Sequence, residues 1–236
     1  DGKSGLVQIW HLEATGYIRV DCGEMTAFLD TAPIGPDYLP GHAHADTLSF
    51  ELSLGRQRVI VDSGVSCYGE GAERLRQRGT AAHNTVEIDG EDSSEVWSGF
   101  RVARRAYPQN LRIDAAEGII SCAHNGYRRL PGQSLHRREW RFGNNSLTVW
   151  DVIEGRYSEA TGRFHFHPDI KIIPPLDDCT EGKIVLPSGR VLSWHIKSGR
   201  GFLSETTWHP EFGVSLPNKC LEVRFESQKT GFYLSW

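Results

Sequence analysis

The stretch Thr47-Leu48-Ser49-Phe50-Glu51-Leu52-Ser53-Leu54, followed by Gly55-Arg56 and then by Val59-Ile60-Val61-Asp62, decides the fold class. Leu48, Phe50, Leu52 and Leu54 alternate with polar residues, so an extended chain here has one apolar face. Gly55-Arg56 suits a tight hairpin turn, and the apolar run after it reads as the return strand. The pattern recurs outward. Val86 and Ile88 precede the turn signal Asp89-Gly90, and similar stretches lie at 147–150, 183–186, 190–196, 220–225 and 232–234. The 25 glycines and 11 prolines punctuate the whole chain, and the only helical candidate is 72–77. These features predict an all-β protein, an antiparallel β-sandwich with little helix. Residues 1–236 read as one domain; Pro174-Pro175 before Asp177-Asp178 is the single linker candidate and reads equally as a long loop.

Composition narrows the function classes. With 26 Lys+Arg against 30 Asp+Glu, the net charge of −4 argues against a general nucleic-acid binder. No apolar run approaches the roughly 18–20 residues of a membrane helix, so no membrane span is expected. Five dispersed cysteines form no CxxC, which removes support for a zinc ribbon or a thioredoxin-like motif and leaves the compartment open. The chain opens at Asp1 without a signal peptide, and reads as a mature or trimmed segment whose export signal lies upstream.

The densest chemistry lies between Gly41 and Asn84. Gly41-His42-Ala43-His44-Ala45-Asp46 leads into the strand, and continued alternation would place His42, His44 and Asp46 on one face. Asp62 stands in Val-Asp-Ser-Gly and His83 in Ala-Ala-His-Asn-Thr. Two imidazoles and a carboxylate suit zinc or another divalent ion such as calcium, so His44, Asp62 and His83 are the candidate ligands. A straight strand opposes this grouping. It separates His44 from Asp62 by five or six residues, roughly 17–20 Å at about 3.3 Å each. Sharing an ion requires the His-x-His segment to curl back, or a bulge near Asp46 to Leu48. A metal-dependent cupin is a competing reading of His-x-His, although Glu51 falls too far beyond His44 for that pattern.

The ordered series Gly-His-Ala-His-Ala-Asp-Thr-Leu-Ser-Phe-Glu-Leu, Val-Asp-Ser-Gly and Ala-Ala-His-Asn-Thr-Val resembles the C-terminal β domain of the heparinase II/III-like polysaccharide lyases. The likeness continues through His124-Asn125-Gly126-Tyr127, His136-Arg137-Arg138, Phe164-His165-Phe166-His167-Pro168 and Trp208-His209-Pro210-Glu211-Phe212-Gly213. The resemblance implies a supersandwich fold and β-elimination on a uronic-acid polysaccharide, with His42 as the catalytic histidine and His44, Asp62 and His83 on the metal. It also implies an N-terminal α/α toroid that supplies a catalytic Tyr and a carboxylate-neutralising Asn or His, and a periplasmic or secreted bacterial setting.

From Arg101 to Arg141 nine arginines accompany three acids, a local charge of +6. Arginine pairs well with carboxylate and sulfate, so this stretch can steer an acidic polysaccharide, or its charges can be paired with acids elsewhere. His124, Tyr127, Arg128 and Arg129 are the candidate substrate contacts. Tyr38, Tyr68, Tyr107 and Tyr127 have no partner spacing that marks a base. The alternative to a lyase domain is a non-catalytic carbohydrate-binding or assembly domain that retains the metal for stability.

Overall fold

The structure is a computed structural model that describes residues 6–173 and 179–236. The linker candidate Pro174-Pro175 and the Asp177-Asp178 pair lie outside the described residues. Three larger sheets and a two-stranded ribbon account for the named strands, and every ladder between named strands is antiparallel.

The five-stranded sheet is a meander in chain order: Gln8–Leu12, Tyr17–Cys22, Met25–Asp30, Phe50–Leu54 and Gln57–Ile60. The hairpin expected at Gly55-Arg56 is present, with Leu54 opposite Gln57 and Gly55 at φ 59°. Three strands precede the one that the sequence marked first. Their signal is the same alternation: Tyr17–Cys22 buries Ile18, Val20 and Cys22 and exposes the residues between, then turns at Gly23 with φ 60°.

The eight-stranded sheet runs, edge to edge, Lys171–Ile173, Glu181–Val185, Val191–Ser198, Lys229–Ser235, Ser146–Glu154, Leu135–Gly143, Ile119–His124 and Pro108–Asp114. The four-stranded sheet is ordered Arg200–Trp208, Leu216–Arg224, Ala160–His165 and Val86–Ile88. Apolar faces of all three meet in one core. Phe50 sits at their junction, 6.5 Å from Trp140 and 6.2 Å from Phe164 between ring centroids, and Phe164 stacks on Phe232 at 4.0 Å. The sheets pack face on face and remain open, which is the sandwich the alternation predicted and not a closed cupin barrel. The α-helix Ala72–Arg78 covers the site described next.

Candidate metal centre and its surroundings

The His-x-His segment does not continue the strand. Extended pairing begins at Phe50, and immediately before it Leu48 takes the left-handed conformation at φ 68°. A branched residue there is strained unless its surroundings fix it. Leu48 is buried in the core, its N–H donates to Asp30 O, and the Ser49 N–H closes a turn onto Asp46 O. Arg138 Nη1 donates to the Leu48 carbonyl at 2.9 Å. The chain therefore doubles back, and the long separation of a straight strand disappears: the rings of His44 and His83 lie 5.3 Å apart.

The helix Ala72–Arg78 and the turn after it hold the segment in place. Ala45 N–H donates to Arg78 O, Arg78 Nε to Ala43 O, and Thr80 Oγ1 to Ala45 O. Arg74 and Arg78 are buried with their guanidiniums on backbone carbonyls, those of Gly41 and Gly99 for Arg74 and of Ala43, Ser98 and Arg101 for Arg78. Arg74 Nη1 also lies 3.4 Å from His44 Nε2. Arginine can only donate, so without an ion His44 Nε2 is the acceptor and the ring proton sits on Nδ1; an ion on His44 would take the place of Arg74 at that lone pair.

Across from His44, His83 is completely buried. Its Nδ1 is 2.6 Å from Asp62 Oδ2, and among the described residues its Nε2 has no partner. Donor atoms of His44, Asp46 and His83 lie within 4.8 Å of one another. The structure thus joins Asp46 to the two imidazoles and places Asp62 on the opposite nitrogen of His83. A buried nitrogen without a partner, beside a second imidazole and a carboxylate, is a donor set suited to a divalent ion. A carboxylate on the far nitrogen is the usual device for orienting a ligating histidine.

Electrostatics follow from burial and crowding. Burial, with the neighbouring His83 adding to it, pushes His44 down to about 3, and burial raises Asp46 to about 6. Burial opposes charge on His83 as well, but the Asp62 carboxylate overrides it and lifts the imidazole to about 9, so an ion on Nε2 would displace the second ring proton. In the same exchange burial works against ionisation of Asp62, and the His83 charge and hydrogen bond hold it well below the usual carboxylate range. Tyr17, Asp30, Asp46, Glu51 and Asp62 line a cavity of about 250 Å³ beside this cluster, a basin of negative potential that favours a cation.

His42 lies outside the cluster. It is exposed, with its ring 5.9 Å from Tyr68 and edge-on to it. Tyr68 in turn meets Phe212 at 5.1 Å and Phe100 at 5.8 Å, with the Arg74 guanidinium 5.3 Å from its ring. Three separate segments thus build an exposed aromatic shelf next to His42.

The remaining candidates divide by burial. His124 and Tyr127 have no exposed surface. His124 Nε2 is 3.1 Å from His136 Nδ1, and Tyr127 Oη donates to Val86 O at 2.6 Å. Their place in the interior corrects their reading as glycan contacts. The Arg129 side chain is buried too, and its guanidinium donates to the carbonyls of Asp92, Ser93 and Gly126. Arg128 alone of the four faces solvent. Most of the arginine-rich stretch is paired as well: Arg104 with Glu95, Arg105 with Asp37, Arg137 with Glu154, Arg138 with Asp151 and Arg141 with Glu139.

Two residues that the sequence reading did not select hold the site together. Asn84 Nδ2 donates to Phe50 O and Val61 O, and its Oδ1 accepts from His165 N–H. Arg138 donates to Leu48 O and Asn84 O while forming a two-pronged pair with Asp151. Both stand inside quoted motifs, Ala-Ala-His-Asn-Thr and His136-Arg137-Arg138, but only the fold shows that their partners flank His44 and His83.

Comparison with known proteins identifies the class. The family model for the heparinase II/III-like C-terminal domain matches residues 5–236, and the chain belongs to that family. A structure of heparinase III superposes with a TM-score of 0.71 at 13% identity, over 99% of this chain and 36% of that one. Heparan sulfate lyase HepC from Pedobacter heparinus gives 0.70 at 17% identity, over 100% and 37%. A 4-alpha-glucanotransferase from Thermococcus litoralis gives 0.55 at 10%, over 99% and 39%. The chain thus spans just over a third of the length of the lyases it resembles. No curated protein matches it in sequence. Among the described residues, no helix is long and apolar enough to cross a membrane.

Proposed function

We propose that this chain is the β domain of an exported polysaccharide lyase that cleaves a uronic-acid-containing glycan by β-elimination. The observation that carries the reading is the division between two neighbouring histidines. His44 turns inward to a half-buried donor cluster, and His42, two residues away, faces solvent beside an aromatic shelf.

β-Elimination removes the C5 proton beside a carboxylate, with charge developing on the enolate, and breaks the C4–O bond. A histidine exchanges protons near neutrality, so His42 serves either as proton donor to the leaving oxygen or within the base system. An N-terminal α/α toroid supplies the tyrosine and the group that neutralises the substrate carboxylate. Exposed Arg128 is available to the polyanion, and Tyr68 and Phe212 offer apolar surface to sugar rings.

His44 and His83 hold a divalent ion, zinc being the best match to two imidazoles and a carboxylate. The resemblance gives Asp62 as the third ligand and the geometry gives Asp46; both carboxylates line one pocket. A bound ion would neutralise this carboxylate cluster and fix the segment that presents His42. The test is incubation of the full-length protein with uronic-acid polymers while following the ultraviolet absorbance of the unsaturated product. Sugar binding without product would favour a non-catalytic carbohydrate-binding domain.

A further inference from the structure

A second cavity, of about 280 Å³, lies against the four-stranded sheet and shares no lining residue with the pocket beside His44 and His83. Residues 81–82, just before His83, form one wall. A row of directly paired residues lies along it, His165 opposite Cys220 and Cys220 opposite Ser204, from three adjacent strands. Exposed Glu205 stands at the rim.

His165 is 1% exposed, and its Nε2 lies 3.1 Å from Ala81 O. A carbonyl only accepts, so Nε2 carries the proton and Nδ1 of the neutral ring is left as an acceptor. Among the described residues Nδ1 has no partner. A buried acceptor that lines a cavity and lacks a donor calls for one from a guest.

The charges in the lining specify what kind of guest. Arg76 and Arg163 balance Glu205 and Glu222. Each has a charged or hydrogen-bonded partner: Arg76 with Glu73, Arg163 with Glu87 at 2.8 Å although its Nη1 makes no aligned hydrogen bond among the described residues, Glu205 with Lys219, and Glu222 by the Ser204 hydroxyl. An anion would have to displace one of these pairs, whereas a neutral molecule bearing hydroxyls would not. The volume is at the small end of ligand pockets, which run from about 300 Å³ upward, and suits one ring rather than a chain.

We infer that this cavity is a second carbohydrate subsite that takes a single neutral sugar ring, one hydroxyl of which donates to His165 Nδ1. The choice of a sugar over another polyol rests on the lyase reading above.

Calorimetric titration of the full chain with N-acetylglucosamine, glucose and glucuronate tests it. One neutral sugar should bind at one site per chain, and glucuronate should bind at least about tenfold more weakly. His165→Phe should weaken the neutral sugar about tenfold. Thr206→Trp fills the cavity from a half-buried strand position and should abolish binding even if the buried His165 variant fails to fold. No binding of either neutral sugar, equal affinity in Thr206→Trp, or preference for glucuronate overturns the inference. Neutral-sugar binding in a protein that forms no unsaturated product would leave this subsite standing and remove the lyase reading alone.

Discussion

His83 has one nitrogen bound to Asp62 and, among the described residues, the other buried without a partner, and the proposed function puts a cation on that second nitrogen. Protein purified without chelators should therefore carry about one divalent ion per chain, measured by elemental analysis. His83→Ala should lose the ion and several kcal/mol of stability, since metal binding and folding are coupled. If His83→Ala keeps its ion and melts like wild type, the site is wrong. The carboxylates separate by the same measurement. Asp46→Asn should empty the site if Asp46 is the ligand, while Asp62→Asn should then only weaken binding, by about 10–100-fold. The reverse pattern makes Asp62 the ligand. Residue type alone marks His44, His83 and the nearby carboxylates as candidate ligands; which carboxylate approaches both imidazoles depends on a turn at Leu48 that alternation does not encode.

Asn84 and Arg138 act at the scale of elements. Asn84 stitches the strands Phe50–Leu54 and Ala160–His165 and the Val61 carbonyl to the loop carrying His83. Asn84→Ala leaves two carbonyls and an N–H unpaired in the interior, and should cost about 3 kcal/mol or more by urea unfolding. A cost under about 1 kcal/mol would show that the stitching matters little. Across three neighbouring strands, His124, His136, Arg138 and Asp151 form a second buried network. Burial drives His124 well below its ordinary value, with the nearby His136 adding to it, and burial lowers His136 as well. Burial opposes ionisation of Asp151, yet Arg138 and His136 hold it at about 2, so it does not titrate between pH 4 and 6.5. As pH falls through about 6.5 the unfolded chain takes up protons on both histidines ahead of the folded chain, so stability falls with pH. The loss is at most about 1.4 kcal/mol per pH unit for each histidine, and His124→Gln should make the slope shallower. An unchanged slope in that variant contradicts the network. Alternation exposed the strand that carries Phe50, but the matching pattern at Tyr17–Cys22 was passed over, and three strands with it. Pairing partners far apart in sequence, such as Arg138 with Leu48, leave no local signature.

At the scale of the whole molecule, the helix and the folded-back loop leave His42 exposed beside the cluster of His44, Asp46 and His83. The fold class followed from period-two alternation and punctuation, and the family from the ordered motifs. The glycan-contacting surface was less legible, because a run of arginines gives no sign of which ones the fold will pair. The chain spans just over a third of the length of the lyases it resembles, and the proposed function assigns the rest of the active site to a toroid. The measurement that tests this most directly is product formation by the full-length protein and its His42→Ala variant on a uronic-acid polysaccharide, with ion content and melting temperature recorded on the same samples. The account predicts that wild type forms unsaturated product, and that His42→Ala lowers turnover by ~10²–10⁴ while keeping its ion and its melting temperature. Wild-type turnover in His42→Ala, or loss of the ion with it, would contradict the division of labour between His42 and His44.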